Sequence, residues 1–212
     1  MKGFITDPIH IERESMRIIK EYLKYPWTDQ ELKIVERCIH TSGDPTLEPY
    51  IRIHPQAIAA GLRALHQGAD VVTDVEMVKA GIAKKQLTAL SGKVQCFLDD
   101  PRVPEKAKEW GITRTMAALR LHKERLKGAI VAIGNAPTAL LEVLECSKDP
   151  ETRPALVVGI PVGFVGAKES KELLRKEYQE LPSITIEGQR GGSPLAAACV
   201  NALIYLAVRR EL

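Results

Sequence analysis

Residues 128–145, GAIVAIGNAPTALLEVLE, contain the clearest strand, turn and helix of the sequence. Residues 129–133 form a continuous apolar run with three β-branched side chains, which is typical of a strand buried on both faces of a parallel sheet. Residues 134–137 turn the chain, and Pro137 suits the first position of a helix. In an open α/β sheet such a turn lies where ligands bind, and free N–H groups at the helix start favour negative charge. An ordinary strand-to-helix connection would show the same pattern.

Four further apolar runs predict strands, and segments with helical periodicity separate them. The five predicted strands cover residues 71–73, 94–98, 129–133, 155–160 and 183–186. The predicted helices between them cover residues 76–81, 104–110, 115–126, 137–146 and 167–178, and a last helix begins at Pro194. This alternation predicts a five-stranded parallel sheet with right-handed crossovers and helices on both faces.

The N-terminal third of the chain predicts helices without strands. We expect a single domain over residues 1–212, with N-terminal helices in residues 1–68 packed on an α/β core of residues 69–212. Asp7-Pro8 begins the first helix, a capping-box pair at Thr28 and Glu31 begins the second, and Pro55 begins the third.

Two polar residues of these helices are candidate site residues. His40 precedes the sequence TSGDP, which does not continue a helix, so His40 is expected at a helix carboxyl end. The helix dipole there favours a protonated imidazole. Ser15 interrupts the apolar stripe of the first helix, although a serine inside a helix usually is exposed or bonds back to the preceding turn.

Composition and charge exclude several classes of function. A net charge of +3 and 5% aromatic residues do not fit a nucleic-acid binder. The longest apolar stretch, residues 195–208, contains Asn201 and is too short to span a bilayer. The four cysteines at positions 38, 96, 146 and 199 form no CxxC pair, which favours a reducing compartment. No secretory signal is visible at the start, so we expect a cytoplasmic protein.

The motifs of common enzyme classes are missing. The glycines at 159, 163 and 166 do not have the GxGxxG spacing of dinucleotide binders or the Gly-Lys-Ser/Thr of the P-loop. The five histidines form no HxxxH pair, which argues against a zinc site, and no serine lies in GxSxG. Arg114 precedes a predicted helix and could clamp a carboxylate, although it could equally be a solvated charge. Arg190 lies in a glycine-containing turn at a predicted strand end and could also bind a carboxylate.

Seven separate stretches resemble the precorrin-8X methylmutase family, including its counterpart with a cobalt-containing substrate. They are IERES at 11–15, IHTSGD at 39–44, DVEMV at 74–78, Thr113-Arg114, VAIGNAPTA at 131–139, PVGFVGAKESK at 161–171 and RGGS at 190–193. The resemblance implies a flavodoxin-like, three-layer α/β/α fold and a homodimer, for which the apolar third and last helices are candidate surfaces. It also implies an isomerase that moves a methyl group from C11 to C12 of (cobalt-)precorrin-8. The product is hydrogenobyrinate or cobyrinate, in cobalamin (vitamin B12) biosynthesis.

The resemblance also implies roles for individual residues. His40 corresponds to the family's catalytic proton donor, Ser15 to its hydroxyl contact on the first helix, and Thr113 and Arg114 to its Thr-Arg motif. We further expect substrate contacts from four residues in or beside the matching stretches: Arg13, Asn135, Thr138 and Arg190. The protein would need no cofactor and no metal of its own, because any cobalt belongs to the tetrapyrrole substrate.

Two other functions are compatible with parts of the sequence. A non-catalytic tetrapyrrole carrier would use the same carboxylate-binding edge to hold the macrocycle without converting it. A nucleotide-dependent α/β enzyme is disfavoured by the missing phosphate-binding motifs.

Overall fold

The computed structural model describes residues 5–208, and its centre is a single six-stranded sheet. The strands are β1 (Ile51–Ile53), β2 (Val71–Thr73), β3 (Val94–Cys96), β4 (Ile130–Ile133), β5 (Leu156–Gly159) and β6 (Ser183–Ile186). Their order across the sheet is β1-β6-β5-β4-β2-β3. Strands β2 to β6 are parallel to their neighbours, whereas β1 pairs antiparallel with β6 through Ile51 opposite Ile186.

The prediction of a five-stranded, all-parallel sheet was therefore wrong by one strand. All five predicted strands are present, but β1 adds an antiparallel edge. It has only three residues, of which the central one is Arg52, and prolines 49 and 55 stand close to both ends. Such a short segment has too little apolar alternation to be recognised, and proline near a strand is tolerated only at edges.

Ten α-helices surround the sheet in the described part of the chain. Those before β4 are α1 (Pro8–Tyr22), α2 (Asp29–Ser42), α3 (Ala57–His66), α4 (Glu76–Gly81), α5 (Lys84–Ala89), α6 (Val103–Trp110) and α7 (Arg114–Leu121). The others are α8 (Pro137–Cys146), α9 (Ala167–Glu177) and α10 (Ser193–Ala207), and two short 3-10 helices cover Pro45–Tyr50 and Lys123–Leu126. None of these helices is long and apolar enough to cross a membrane.

The helices cover both faces of the sheet because side chains alternate along each strand. Ile130 and Ala132 of β4 join the cluster formed with α2, α3, α4 and α10. Val131 and Ile133 join the opposite cluster, with α8 and α9. Eleven of the 15 residues of α10 are buried. Helix α10 thus packs into the core with most of its surface, and α3 packs beside it with Ala59, Arg63 and His66 exposed.

Helices α1 and α2 begin as predicted, whereas α3 begins at Ala57, two residues after Pro55. Asp7 caps α1, and Thr28 with Glu31 forms both bonds of a capping box at α2. Gly43 ends α2 in the left-handed conformation, three residues after His40. Helix α5 was not predicted, and the helix predicted over 115–126 ends at Leu121 before a 3-10 turn. The apolar stripe of α1 is largely exposed, with Ile9, Ile11 and Ile18 between 41% and 63% accessible.

Candidate functional site

The carboxyl ends of the parallel strands form one edge of the sheet, and the candidate site residues Asn135, Thr138 and Arg190 follow strands at this edge. The chain runs from β2 outward to β3, returns to β4 and then continues in the other direction to β5 and β6. The order reverses between β2 and β4, and ligands of open α/β sheets bind outside such a switch point. Asp74 follows β2 directly, and Gly134 and Asn135 follow β4.

The Asp74 carboxylate binds the backbone N–H groups of the turn after β4, at this switch point. It accepts hydrogen bonds from the N–H groups of Gly134 at 3.1 Å, Asn135 at 2.8 Å and Ala136 at 2.8 Å. Burial raises the pKa of Asp74, and the three donated hydrogen bonds oppose that rise. These three amides are therefore not free for a substrate carboxylate, and the N–H groups of the turn before α8 serve the fold. The exposed side chain of Asn135 remains a predicted substrate contact.

His40 lies in the last turn of α2 and is exposed. No hydrogen bond or ion pair to its ring is formed within residues 5–208. The helix packs through Cys38 and Ile39, which are buried at its sides, so the backbone that carries His40 is fixed while the imidazole is open to solvent. A histidine in this position can meet a ligand and exchange protons with water.

The antiparallel strand β1 brings part of the chain that follows His40 to the carboxyl ends of the parallel strands. Because β1 runs against β6, its amino end lies at the carboxyl ends of the parallel strands, and the N–H of Glu187 donates to the Tyr50 carbonyl at 2.9 Å. The Arg190 guanidinium stacks on the Tyr50 ring, 4.2 Å from its centroid. The strand that was not predicted thus joins the chain after His40 to the chain around Arg190.

Asp44 adds an acidic group in the turn that follows α2, four residues after His40. The hydroxyl and the N–H of Thr46 donate to its carboxylate at 2.7 and 2.9 Å, and these bonds lower its pKa, with a smaller contribution from Arg190. The carboxylate is therefore charged near neutral pH, and it fixes the turn that follows α2.

A groove of about 460 Å³ opens beside Tyr50 and Arg190. Other lining residues include Tyr22, Lys24, Tyr25 and Thr46. The buried Glu48 carboxylate shapes its wall, because it accepts the N–H groups of Lys24 and Tyr25 at 3.0 Å. The groove therefore presents aromatic rings together with two cationic side chains, a surface suited to a flat molecule with acidic substituents.

A second group of predicted residues lies farther along the same edge. The Thr113 hydroxyl is 2.9 Å from the Thr138 hydroxyl, which joins the start of α7 to the first turn of α8. Thr113 also caps α7, and Arg114 is exposed, with one long contact of 3.5 Å to the Leu98 carbonyl beyond β3. No hydrogen bond or ion pair within residues 5–208 joins this group to His40 or Arg190.

Two predicted site residues, Arg13 and Ser15, lie on α1. The Ser15 hydroxyl donates to the Ile11 carbonyl at 2.7 Å, which is the ordinary role of a serine inside a helix. Its oxygen can still accept a hydrogen bond. Arg13 is exposed and forms no salt bridge in the described part of the chain.

The free cations are spread widely along the edge. Arg114 and Arg190 form no salt bridge within residues 5–208, and they lie beyond β3 and β6 respectively. Both guanidinium groups are therefore available to separate carboxylates.

Three residues that shape this edge were not assigned from the sequence: Asp74, Tyr50 and Lys171. An acid directly after a buried strand was the available signal for Asp74. Lys171 is the last residue of the PVGFVGAKESK stretch, but its role, like that of Tyr50, depends on the packing of distant segments. No group of three or more His, Cys, Asp or Glu side chains forms a metal site among residues 5–208.

Comparison with known proteins gives a consistent family. Residues 10–206 match the family model CbiC, described as precorrin-8X methylmutase. The chain is 42% identical over 207 residues to the cobalt-precorrin-8 methylmutase of Priestia megaterium, covering 97% of this chain and 91% of that protein. It is 41% identical over 204 residues to the precorrin-8X methylmutase of Pseudomonas aeruginosa, with 96% and 98% covered.

A solved structure agrees with these sequence matches. The crystal structure of precorrin-8X methyl mutase from Thermus thermophilus superposes with a TM-score of 0.84 and 36% identity, covering 95% of this chain and 99% of that one. Sequence identity above 30% over nearly the whole length, together with the same architecture, leaves one conclusion. The chain belongs to the precorrin-8X methylmutase family.

Proposed function

We propose that this chain moves a methyl group from C11 to C12 of precorrin-8X or cobalt-precorrin-8, giving hydrogenobyrinate or cobyrinate. It is an isomerase of cobalamin biosynthesis, acting by intramolecular methyl transfer on a tetrapyrrole-derived substrate. The observation that carries this function is the match to the methylmutase family over residues 10–206, which include the IHTSGD and IGNAPTA stretches.

The reaction needs no methyl donor. The bond from the methyl group to C11 breaks, the bond to C12 forms, and every atom stays in the same molecule. Because substrate and product are isomers, any proton that the enzyme delivers to the ring must be balanced by one that the ring loses. The enzyme must bind the rearranging macrocycle more tightly than either ground state.

His40 is the proposed proton donor. A proton or strong hydrogen bond on the conjugated ring withdraws electron density and eases methyl migration, and general acids typically contribute about 10²- to 10⁴-fold. Its exposed ring at the end of α2, beside the turn that contains Asp44, supports this role. Solvent access would allow the ring to be reprotonated between turnovers.

The substrate carries acetate and propionate arms, and the edge of the sheet offers matching groups. We propose that Arg190 and Arg114 bind carboxylates near opposite ends of the site, with Arg13 as a third cation. Ser15, Thr113, Thr138 and Asn135 are proposed polar contacts. The exposed side chains of Phe164 and Val165, 92% and 90% accessible at the loop after β5, are proposed apolar contacts for the macrocycle.

Several finer features of the family are proposals for this chain. A flavodoxin-like classification is supported by the five parallel strands, which in chain order are arranged 2-1-3-4-5. A homodimer is supported by exposed isoleucines on α1. We also propose a cytoplasmic location and no cofactor of the protein's own, with cobalt, if present, carried by the substrate.

The test is conversion of substrate labelled with carbon-13 in the methyl group on C11. The purified chain is incubated with the metal-free and the cobalt-containing compound in parallel, and the product is examined by NMR. A label that appears on C12 supports the methylmutase function and identifies the preferred substrate. Tight binding without any movement of the label in either compound would instead support the non-catalytic carrier.

A further inference from the structure

Lys171 is a buried lysine that the proposed chemistry does not use. It lies on α9, and only 1% of its surface is accessible. Burial lowers its pKa to about 8, and no carboxylate within residues 5–208 forms a salt bridge with it. Because burying an ammonium group without an acidic partner costs free energy, its contacts need an explanation.

The Lys171 ammonium joins the two loops that follow β5 and β6. Its Nζ donates to the Pro161 carbonyl at 3.1 Å and to the Arg190 carbonyl at 2.6 Å. The same loops are joined by two backbone hydrogen bonds, from the N–H of Gly192 to Ile160 and from the N–H of Gly163 to Gln189. The Lys171 side chain thus bridges the two loops beside the carboxyl ends of β5 and β6.

The contact to Arg190 connects this bridge to substrate binding. Lys171 holds the main chain of Arg190 from the interior, while the guanidinium extends outward over Tyr50. An arginine on a loop has many rotatable bonds, and fixing its backbone reduces the conformations that must be lost when it binds a carboxylate.

We propose that Lys171 is a positioning residue of the methylmutase site, which anchors the Arg190 main chain so that the guanidinium meets a carboxylate arm of the substrate. This inference rests on the proposed function, because it assigns Arg190 a substrate carboxylate. It concerns binding more than the chemical step. Removing Lys171 should therefore raise KM and leave kcat nearly unchanged.

The experiment is a double-mutant cycle with Lys171→Met and Arg190→Met, measured as KM and kcat for conversion of the substrate. Lys171→Met should raise KM about tenfold, as expected for a weakened charge-assisted contact, and change kcat less than about threefold. In the Arg190→Met background the same change should raise KM less than about twofold. Lys176→Met is the matched control, because Lys176 lies at the far end of α9, is 72% exposed and pairs with Glu172.

Two results would overturn the inference. One is an equal rise in KM with and without the Arg190 side chain, and the other is no rise in KM at all. If circular dichroism shows that Lys171→Met does not fold, the cycle is run with Lys171→Gln, which keeps a neutral donor and should give a smaller, still Arg190-dependent effect. A wild-type enzyme that moves no methyl group contradicts the proposed function, whereas an active enzyme with additive variants contradicts only the Lys171 role.

Discussion

Replacing Gly191 by alanine tests how closely the loop after β6 packs on the loop after β5, at the carboxyl ends of the parallel strands. A Cβ atom at position 191 would lie 2.5 Å from the Ile160 carbonyl oxygen and 2.7 Å from that of Pro161. Ordinary contacts begin at 3.4 Å, so the loop after β5 would have to retreat by about 0.9 Å, the difference between 3.4 and 2.5 Å. Both obstructing atoms belong to the backbone, so no side-chain rotation can relieve the clash.

The expected cost follows from the contacts that the retreat would break. Overpacking of this kind costs about 1–3 kcal/mol. Separating the loops also removes the hydrogen bond from the Gly192 N–H to Ile160 and the bond from Lys171 to Pro161, each worth about 1 kcal/mol. We therefore expect Gly191→Ala to lower the free energy of unfolding by about 4 kcal/mol. For a chain of this length that corresponds to a fall in Tm of about 8–16 °C.

Gly188→Ala is the matched control in the same loop. Gly188 has φ +73°, and a Cβ atom at this position would have no neighbour within 4 Å, so alanine meets backbone strain but no clash. That strain costs about 1 kcal/mol, or about 2–4 °C in Tm. Urea and thermal unfolding of both variants would measure the difference. Equal destabilisation by the two substitutions would refute the reasoning that close packing of the loops holds this edge together.

Two further predictions concern buried charges. Arg120 forms a bidentate ion pair at 2.9 and 2.6 Å with Glu142, whose side chain is 4% exposed, so Arg120→Met should cost about 3 kcal/mol in urea unfolding by leaving a buried carboxylate unpaired. Lys127→Met, which breaks an exposed pair with Glu151, should cost less than about 1 kcal/mol, and equal costs would contradict this difference in burial. The pKa of Lys171 falls from 10.5 to about 8 on folding, so the unfolded chain binds more protons between these values and stability should rise with pH there. Between pH 8 and 10.5 the free energy of unfolding of the wild-type chain should rise on the order of 3 kcal/mol more than that of Lys171→Met. Parallel pH profiles of the two proteins would contradict this prediction.

Much of the fold could be predicted because its core elements have strong local patterns. The apolar run of β4 and the proline that starts α8 predicted both elements, and the structure confirms the helix over Pro137–Cys146. The capping pair Thr28 and Glu31 likewise predicted the start of α2. In these segments local propensity, hydrophobic periodicity and tertiary packing favour the same conformation.

The antiparallel edge strand could not be predicted, and it matters for the site. Three residues, Ile51–Ile53, are held as a strand by pairing with β6, a partner more than 130 positions away along the chain. This pairing places Tyr50 beneath Arg190 and carries the segment after His40 to the substrate edge. A contact between distant segments leaves no periodic signal in either one.

The turn after β4 was predicted in position better than in detail. The glycine turn after β4 lies at the carboxyl edge as expected, but the Asp74 carboxylate occupies the N–H groups that the pattern offered to a ligand. Motif spacing indicates which backbone groups are exposed at a turn, but it does not show which distant side chain already binds them. The predicted roles of His40, Ser15 and the arginines remain predictions.

Replacing His40 by alanine, with substrate binding and conversion measured separately, tests the proposed general acid. Binding should change less than about threefold, because carboxylate contacts supply the affinity, whereas conversion should fall about 10²- to 10⁴-fold with loss of the general acid. His54→Gln is the control. His54 lies at the opposite ends of the strands, where its N–H bonds to the Ser183 carbonyl at the start of β6. Undiminished conversion by the His40 variant would contradict the claim that this imidazole drives the methyl shift.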